Sequence, residues 1–137
     1  MYPNYHKGDK FNEKCHGKGW TEWEVLKCAR PRFEGHDQPK VPLWGYEDES
    51  EIPVMEKKIQ TAYEYGVDNM IFDWYWYKDG PFLNKPGDQA FLKASNKDNI
   101  KFSLMWANHD WLEIHPIPRG YHDYQKIQLA GKISKEE

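Results

Sequence analysis

Two adjoining stretches carry the clearest patterns in the chain. Between Ser50 and Tyr65, Ile52, Met55, Ile59, Ala62 and Tyr63 recur at three- and four-residue steps. That spacing predicts a helix with one apolar face, leaving Lys57, Lys58, Gln60 and Glu64 to water. Pro53 falls in the first turn, where its missing N–H does no harm, and Gly66 is a helix stop. Asp68 to Tyr77 follows at once: Asp-Asn-Met-Ile-Phe-Asp-Trp-Tyr-Trp-Tyr. Its β-branched and aromatic content predicts a strand. Alternation then sets Phe72, Trp74 and Trp76 on one face, expected beneath covering helices, and Asp73, Tyr75 and Tyr77 on the other. Lys78 to Pro81 reads as a turn. A helix is expected over about 88–95, and Ile100 to Asn108 repeats the strand pattern. Helix and strand therefore alternate at α/β spacing, which implies parallel strands joined by right-handed crossovers.

The remaining segments are less regular. Met1 to Tyr5 reads as the last residues of a strand, with Asn4 and His6 at its C-terminal mouth. His6 lacks an adjacent partner and is read as a hydrogen-bonding surface residue. Residues 7–19 are polar with three glycines and are expected to form a loop. Thr21 and Glu24 have the spacing of a capping box, predicting a short helix over about 22–29 that Pro31 ends. Glu22 then either lies exposed or points into a site. Pro31 to Tyr46, with prolines at 31, 39 and 42, is expected to be a long extended loop of the kind that carries function. His36, Gln38, Trp44 and Tyr46 are candidates for a pocket wall, although packing of the loop onto the body accounts for Trp44 equally well. Residues 113–137 read as a trailing loop and the start of a further unit.

Bulk properties narrow the classes. The 137 residues suffice for one domain, but fall short of the roughly 250 that a full (β/α)8 barrel needs. A net charge of −3 leaves no basic footprint for nucleic acid. Charged residues make up 30% of the chain, and no apolar run reaches the roughly 18 residues of a membrane span. The first residues lack the apolar core of a signal peptide. Seven Trp, nine Tyr and six Phe argue against disorder. Cys15 and Cys28 are too few for a disulfide scaffold. With His16 they make three candidate zinc ligands, but no fourth has suitable spacing, so no metal is expected. No Gly-rich phosphate loop is present, and no cofactor is expected.

The chemistry gathers at strand ends. Asp73, Tyr75 and Tyr77 stand near the C-terminal end of the first long strand. Trp106, Asn108, His109 and Asp110 close the second. A carboxylate in mid-strand is costly to bury without a partner. In a parallel α/β barrel the C-terminal strand ends are where active sites are built. Aromatic faces interleaved with hydrogen-bonding groups suit a ligand with apolar C–H faces and many hydroxyls, that is, a sugar. The plain alternative, strongest for Trp74 and Trp76, is that the aromatics are core. The candidate binding set is Glu22, Asp73, Tyr75, Tyr77, Trp106, Asn108, His109 and Asp110.

Blocks of residues also resemble a known family. In order they are Gly19-Trp20-Thr21-Glu22-Trp23-Glu24, Ala29 through Pro39, Val41-Pro42-Leu43-Trp44-Gly45-Tyr46, Asp73-Trp74-Tyr75-Trp76-Tyr77 and Trp106-Ala107-Asn108-His109-Asp110-Trp111. The pattern is similar to the WbsX-type family, labelled glycosyltransferase-like and related to the family-99 glycoside hydrolases, over about residues 2–120. Asp37 departs from the family, where an aromatic often follows Gly-His. The resemblance implies the N-terminal part of a (β/α)8 barrel acting on an oligosaccharide or polysaccharide. It also implies that the catalytic carboxylates lie on a late strand beyond this segment, since glycosidases of both stereochemical classes normally use two placed carboxyl groups. Hydrolase is the first expectation. A transferase and a non-catalytic carbohydrate-binding remnant are the alternatives.

Overall fold

The computed structural model describes residues 1–112 and 128–130, with Leu112 and 128–130 described as backbone only. Its centre is β1 (Asn69–Tyr77), which is paired along both edges. On one side β3 (Lys101–Trp106) runs parallel to it, from Asn69 opposite Lys101 to Trp74 opposite Trp106. On the other side the Met1 amino group donates to the Ile71 carbonyl, and the Asp73 N–H donates to the Met1 carbonyl at 3.0 Å. Those two bonds flank Phe72 as in a parallel pair. The chain start, β1 and β3 thus lie side by side in sequence order, pointing the same way. The expected parallel arrangement holds for these segments. It does not hold throughout. Residues 78–81, read as a turn, are a turn plus the start of β2 (Gly80–Phe82), which pairs antiparallel with β1. A further antiparallel pair joins β4 (Trp111–Leu112) to β5 (Gln128–Ala130). The fold is mixed α/β.

Helix α3 (Ile52–Glu64) falls where periodicity places it. Gly66 at φ 78° ends it in a Schellman motif: Gly66 N–H reaches the Tyr63 carbonyl and Val67 N–H the Ala62 carbonyl. Met55 and Ile59 from its apolar face bury completely against Phe72, Ala90, Phe91, Ala94 and Ile100. Each such side chain is worth roughly 1.5–3 kcal/mol of burial. The helix expected over 88–95 is replaced by a π turn (Pro86–Ala90) and a 3-10 turn (Phe91–Lys93). Pro86 and Gly87 within this short segment disfavour a regular α-helix.

Two readings within residues 7–30 need correction. Residues 7–19 contain a helix, α1 (Lys10–His16). Asp9 caps it, Oδ1 accepting from Phe11 N at 2.9 Å and Asn12 N at 3.0 Å. Helix α2 (Trp23–Lys27) forms, but without the expected capping box. Glu24 instead pairs with Lys27 at 2.6 Å. Both helices and the loop through 50 leave from the C-terminal end of the chain-start segment. By contrast only residues 65–68 join α3 to the opposite end of β1. Long connections therefore crowd one end of the sheet.

Burial along β1 changes sides. Phe72 is buried on the α3 side, as expected. Further along, Trp76 is 42% exposed, whereas Tyr75 and Tyr77 are 5% and 1% exposed. The helices do not reach Trp76. Phe11, Phe82 and Leu83, from α1 and the β2 region, close over the two tyrosines in a second core. His6, read as a surface residue, is 1% exposed.

Two consequences can be measured. Asp9 also accepts from Leu83 N at 3.5 Å, so it ties α1 to the segment after β2. Asp9→Ala is expected to lower the unfolding free energy by about 1–2 kcal/mol in urea titrations. An unchanged midpoint would remove the cap from this role. Glu49 is buried and its Oε1 accepts from Lys58. Burial, the leading effect, raises its carboxyl above the usual 4.5, with Lys58 opposing. Lys58→Ala leaves the carboxylate unpaired and is expected to lower stability by about 1–3 kcal/mol at pH 8. A raised folded-state pKa means that stability is lost as pH climbs through it. The loss should therefore be smaller at pH 5. Equal losses at both pH values would contradict the assignment.

Candidate functional site

The crowded end of the sheet gathers most of the predicted set. Asp73, Tyr75 and Tyr77 project from one face of β1. Tyr2 packs against the Tyr75 and Tyr77 cluster, and Asn4 follows it by alternation from the chain-start segment. Asn4 is fully buried and organises what surrounds it. Its Nδ2 donates to Glu22 Oε2 at 2.8 Å and to the Tyr2 hydroxyl at 3.1 Å. Its Oδ1 accepts from Asn12 Nδ2 at 2.6 Å. Glu22, which the sequence left between exposed and site-directed, is therefore aimed inward from the turn before α2. Asn12, supplied by α1, is the far end of the chain of hydrogen bonds.

The electrostatics show the same convergence. Burial pushes the Tyr75 hydroxyl up to about 12, with Asp73, Tyr77 and Glu22 adding to the effect. Tyr77 also rises to about 12, first through burial and then through Asp110. Tyr2 is raised beyond the ordinary phenol range by burial, then by Glu22, with the Asn4 hydrogen bond opposing. Three carboxylates from three parts of the chain thus act on one group of phenols, all held neutral. Such phenols are hydrogen-bond donors and acceptors, not bases, at neutral pH. The Tyr77 hydroxyl is buried without a hydrogen-bond partner among the described residues.

Aromatic rings close the cluster. Tyr75 meets Trp111 edge-on at 4.9 Å and His109 at 6.0 Å, and Phe82 meets Trp111 at 4.7 Å. Asn108, His109 and Asp110 are exposed, while Asp73, Glu22 and Trp111 are half-buried. Trp106 stands apart. Its register partner is Trp74, so it shares the Phe72 face and not the Asp73 face, and it is 53% exposed. Tyr75 and Tyr77 form the floor of the site, not an open platform. His6 lies on the same chain-start segment, and burial lowers its imidazole below 6.5. Its Nδ1 donates to the Lys7 carbonyl at 3.0 Å.

Sequence reasoning missed Tyr2 and Asn12 and left Asn4 without a role. The signal for Asn12 was Asp9 followed seven residues after its first helical position by Gly17, a cap and a stop bracketing one short helix. In the long loop, Trp44 packs under Lys57, 4.3 Å from its ring centre, and lines a cavity of about 250 Å3 with Trp23 and Leu43. His36 stacks on Phe33 at 4.7 Å. Among the described residues no helix is long and apolar enough to cross a membrane.

Comparison with known proteins bears on the same residues. The profile of the family described as "Glycosyltransferase WbsX" matches residues 1–120. Two curated relatives, each named "Uncharacterized protein WxcX", come from Xanthomonas campestris pv. campestris strains B100 and ATCC 33913. Each is 36% identical over 101 residues, 73% of this chain and 14% of the relative. No solved structure matches the chain significantly. The matched span runs from the chain-start segment through β3 to the Trp106–Trp111 strand end, and so includes every member of the candidate set. The chain belongs to the WbsX glycosyltransferase family, and its domain is a glycan-related one.

Proposed function

We propose that this chain is the opening part of a (β/α)8-type barrel whose crowded strand ends contact a glycan, within an enzyme that hydrolyses oligosaccharide or polysaccharide. The convergence of Glu22, Asp73 and Asp110 on the Tyr75 and Tyr77 floor carries the reading. Three segments in sequential order, parallel, with long connections at their C-terminal ends, support the barrel. The chain spans about one seventh of the curated relatives it matches (14% of their length), which leaves room for the remaining strands. β3 supports this too: Phe102, Leu104, Met105 and Trp106 are each about half exposed, as an inner strand waiting for its neighbour would be.

In this reading Glu22, Asp73, Asn108, His109 and Asp110 take hydrogen bonds from, or give them to, sugar hydroxyls. Trp111 offers an apolar edge to the C–H face of a ring. Tyr75 and Tyr77 hold these groups in place from beneath. Trp106 lies outside the contact set. The acids here bind and shape. The catalytic pair is assigned to later strands, since hydrolysis with either stereochemistry needs two carboxyl groups about 5–10 Å apart across the scissile bond. Glycosyl transfer is the second reading, favoured by the description of the family profile.

The test uses the protein with a panel of neutral oligosaccharides, reading binding by calorimetry and turnover by release of reducing ends. Asp73→Asn is expected to weaken binding about tenfold, as loss of a charge-assisted hydrogen bond does. Trp106→Ala should leave it within twofold. Equal effects of the two changes would overturn the face assignment. Product formation only in the presence of an activated sugar donor would replace hydrolysis with transfer.

A further inference from the structure

A second concavity lies away from the strand ends. Its walls come from the end of α1 (Cys15, His16), from Trp20, from α2 (Glu24, Val25) and from the segment 28–32 that leaves it. Its volume is about 730 Å3, within the roughly 300–1,000 Å3 of small-ligand sites. Neither the phenol floor nor the strand-end residues line it.

Its chemistry has two parts. Trp20 and His16 stack face to face, with centroids 4.1 Å apart and planes at 16°, giving a flat aromatic wall continued by Val25, Ala29 and Pro31. Arg30 and Arg32 stand at the rim, and both are exposed. Among the described residues neither guanidinium has an ion-pair partner. The one carboxylate of the lining, Glu24, is already held by Lys27 at 2.6 Å. The pocket therefore carries an excess of positive charge beside an aromatic plane. A guanidinium offers paired N–H groups that match the two oxygens of a carboxylate or a phosphate. An aromatic plane takes the C–H face of a pyranose. The two together select a sugar that bears an anion.

We propose that this pocket is a subsite for an anionic sugar residue, with Arg30 and Arg32 on its carboxylate or phosphate and the Trp20–His16 stack beneath its ring. The inference rests on the glycan reading and adds a substrate class to it: an acidic glycan, one unit of which occupies this pocket. Trp20 to Glu24 also carries Glu22, so a single short segment borders both the strand-end site and this one. A saccharide chain crossing that segment engages both.

The experiment compares oligosaccharides matched in length that carry glucuronate, a sugar phosphate or no charge, with inorganic phosphate as a fourth probe. Each is titrated against the protein and against Arg30→Gln, Arg32→Gln and the double variant. The replaced side chains are exposed and have no ion-pair partner among the described residues, so folding is expected to survive, and circular dichroism checks it. An anionic oligosaccharide should bind more tightly than its neutral match. Each single change should weaken that preference by about tenfold, and 0.5 M salt should weaken it further. The uronate and phosphate arms identify which anion is preferred. Inorganic phosphate alone should bind weakly, because it does not use the aromatic wall. Equal binding of neutral and anionic chains, unaffected by either change, would overturn the subsite while leaving the glycan reading intact. Binding of inorganic phosphate as tight as that of any saccharide would also overturn it. Failure of every saccharide to bind would end both readings together.

Discussion

The structure depends on the main-chain pairing of β1 along both of its long edges. With Met1 bonded across Phe72 on one side and Lys101 to Trp106 in parallel register on the other, three segments are fixed in direction. Parallel ladders bring C-terminal ends to the same side of the sheet. That alone carries Asn4, Asp73 to Tyr77 and Asn108 to Asp110 to one end of the molecule, although Asp73 lies 69 positions beyond Asn4 in the chain. The side-chain network then depends on this backbone. Asn4 can reach Glu22 and Asn12 only because its segment is held against β1.

Packing along β1 follows from what each half of the strand meets. Its first half faces α3, whose apolar stripe covers Phe72. Its second half extends past the end of that cover. Here α1 and the β2 turn fold over the opposite face and bury Tyr75 and Tyr77. Small loops bring this about through specific tethers. Lys85 donates to the Lys7 and Gly8 carbonyls at 3.1 and 2.8 Å. Gly8, at φ 78°, allows that approach, since a Cβ there would lie 2.2 Å from the Lys85 Nζ. Leu83, also at positive φ, is held by burial and by Asp9. The phenols are thus kept dry by the same contacts that place Asn12.

The sequence made the regular elements legible and left the tertiary covering obscure. Helix α3 and strand β1 were readable because their apolar periods are long, and Gly66 separates them. β3 was readable for the same reason. α1 was not: its seven residues hold two that bury, Phe11 and Asn12, too few for a period to emerge. The side on which Trp76 and Tyr77 would bury was also beyond reach, because it depends on Phe82 and Leu83 from a hairpin whose glycine and proline read only as a turn. Of the candidate set, residue type and strand-end position single out Asp73 and Asp110, whereas Glu22 enters only as an exposed-or-inward alternative at the start of a short helix. Trp106 joins them only through its nearness in sequence to the same strand end. The pairing with Trp74 sets it on the other face, and only register could reveal that.

The account's central claim is that saccharide meets the protein at the shared C-terminal ends of the parallel segments. Amide hydrogen exchange with and without a bound oligosaccharide tests it most directly. Slowed exchange within residues 19–24 and 107–111, with residues 86–99 on the opposite side of the sheet unchanged, is the predicted result. Protection confined to residues 86–99, or to the outer edge of β3, would contradict it.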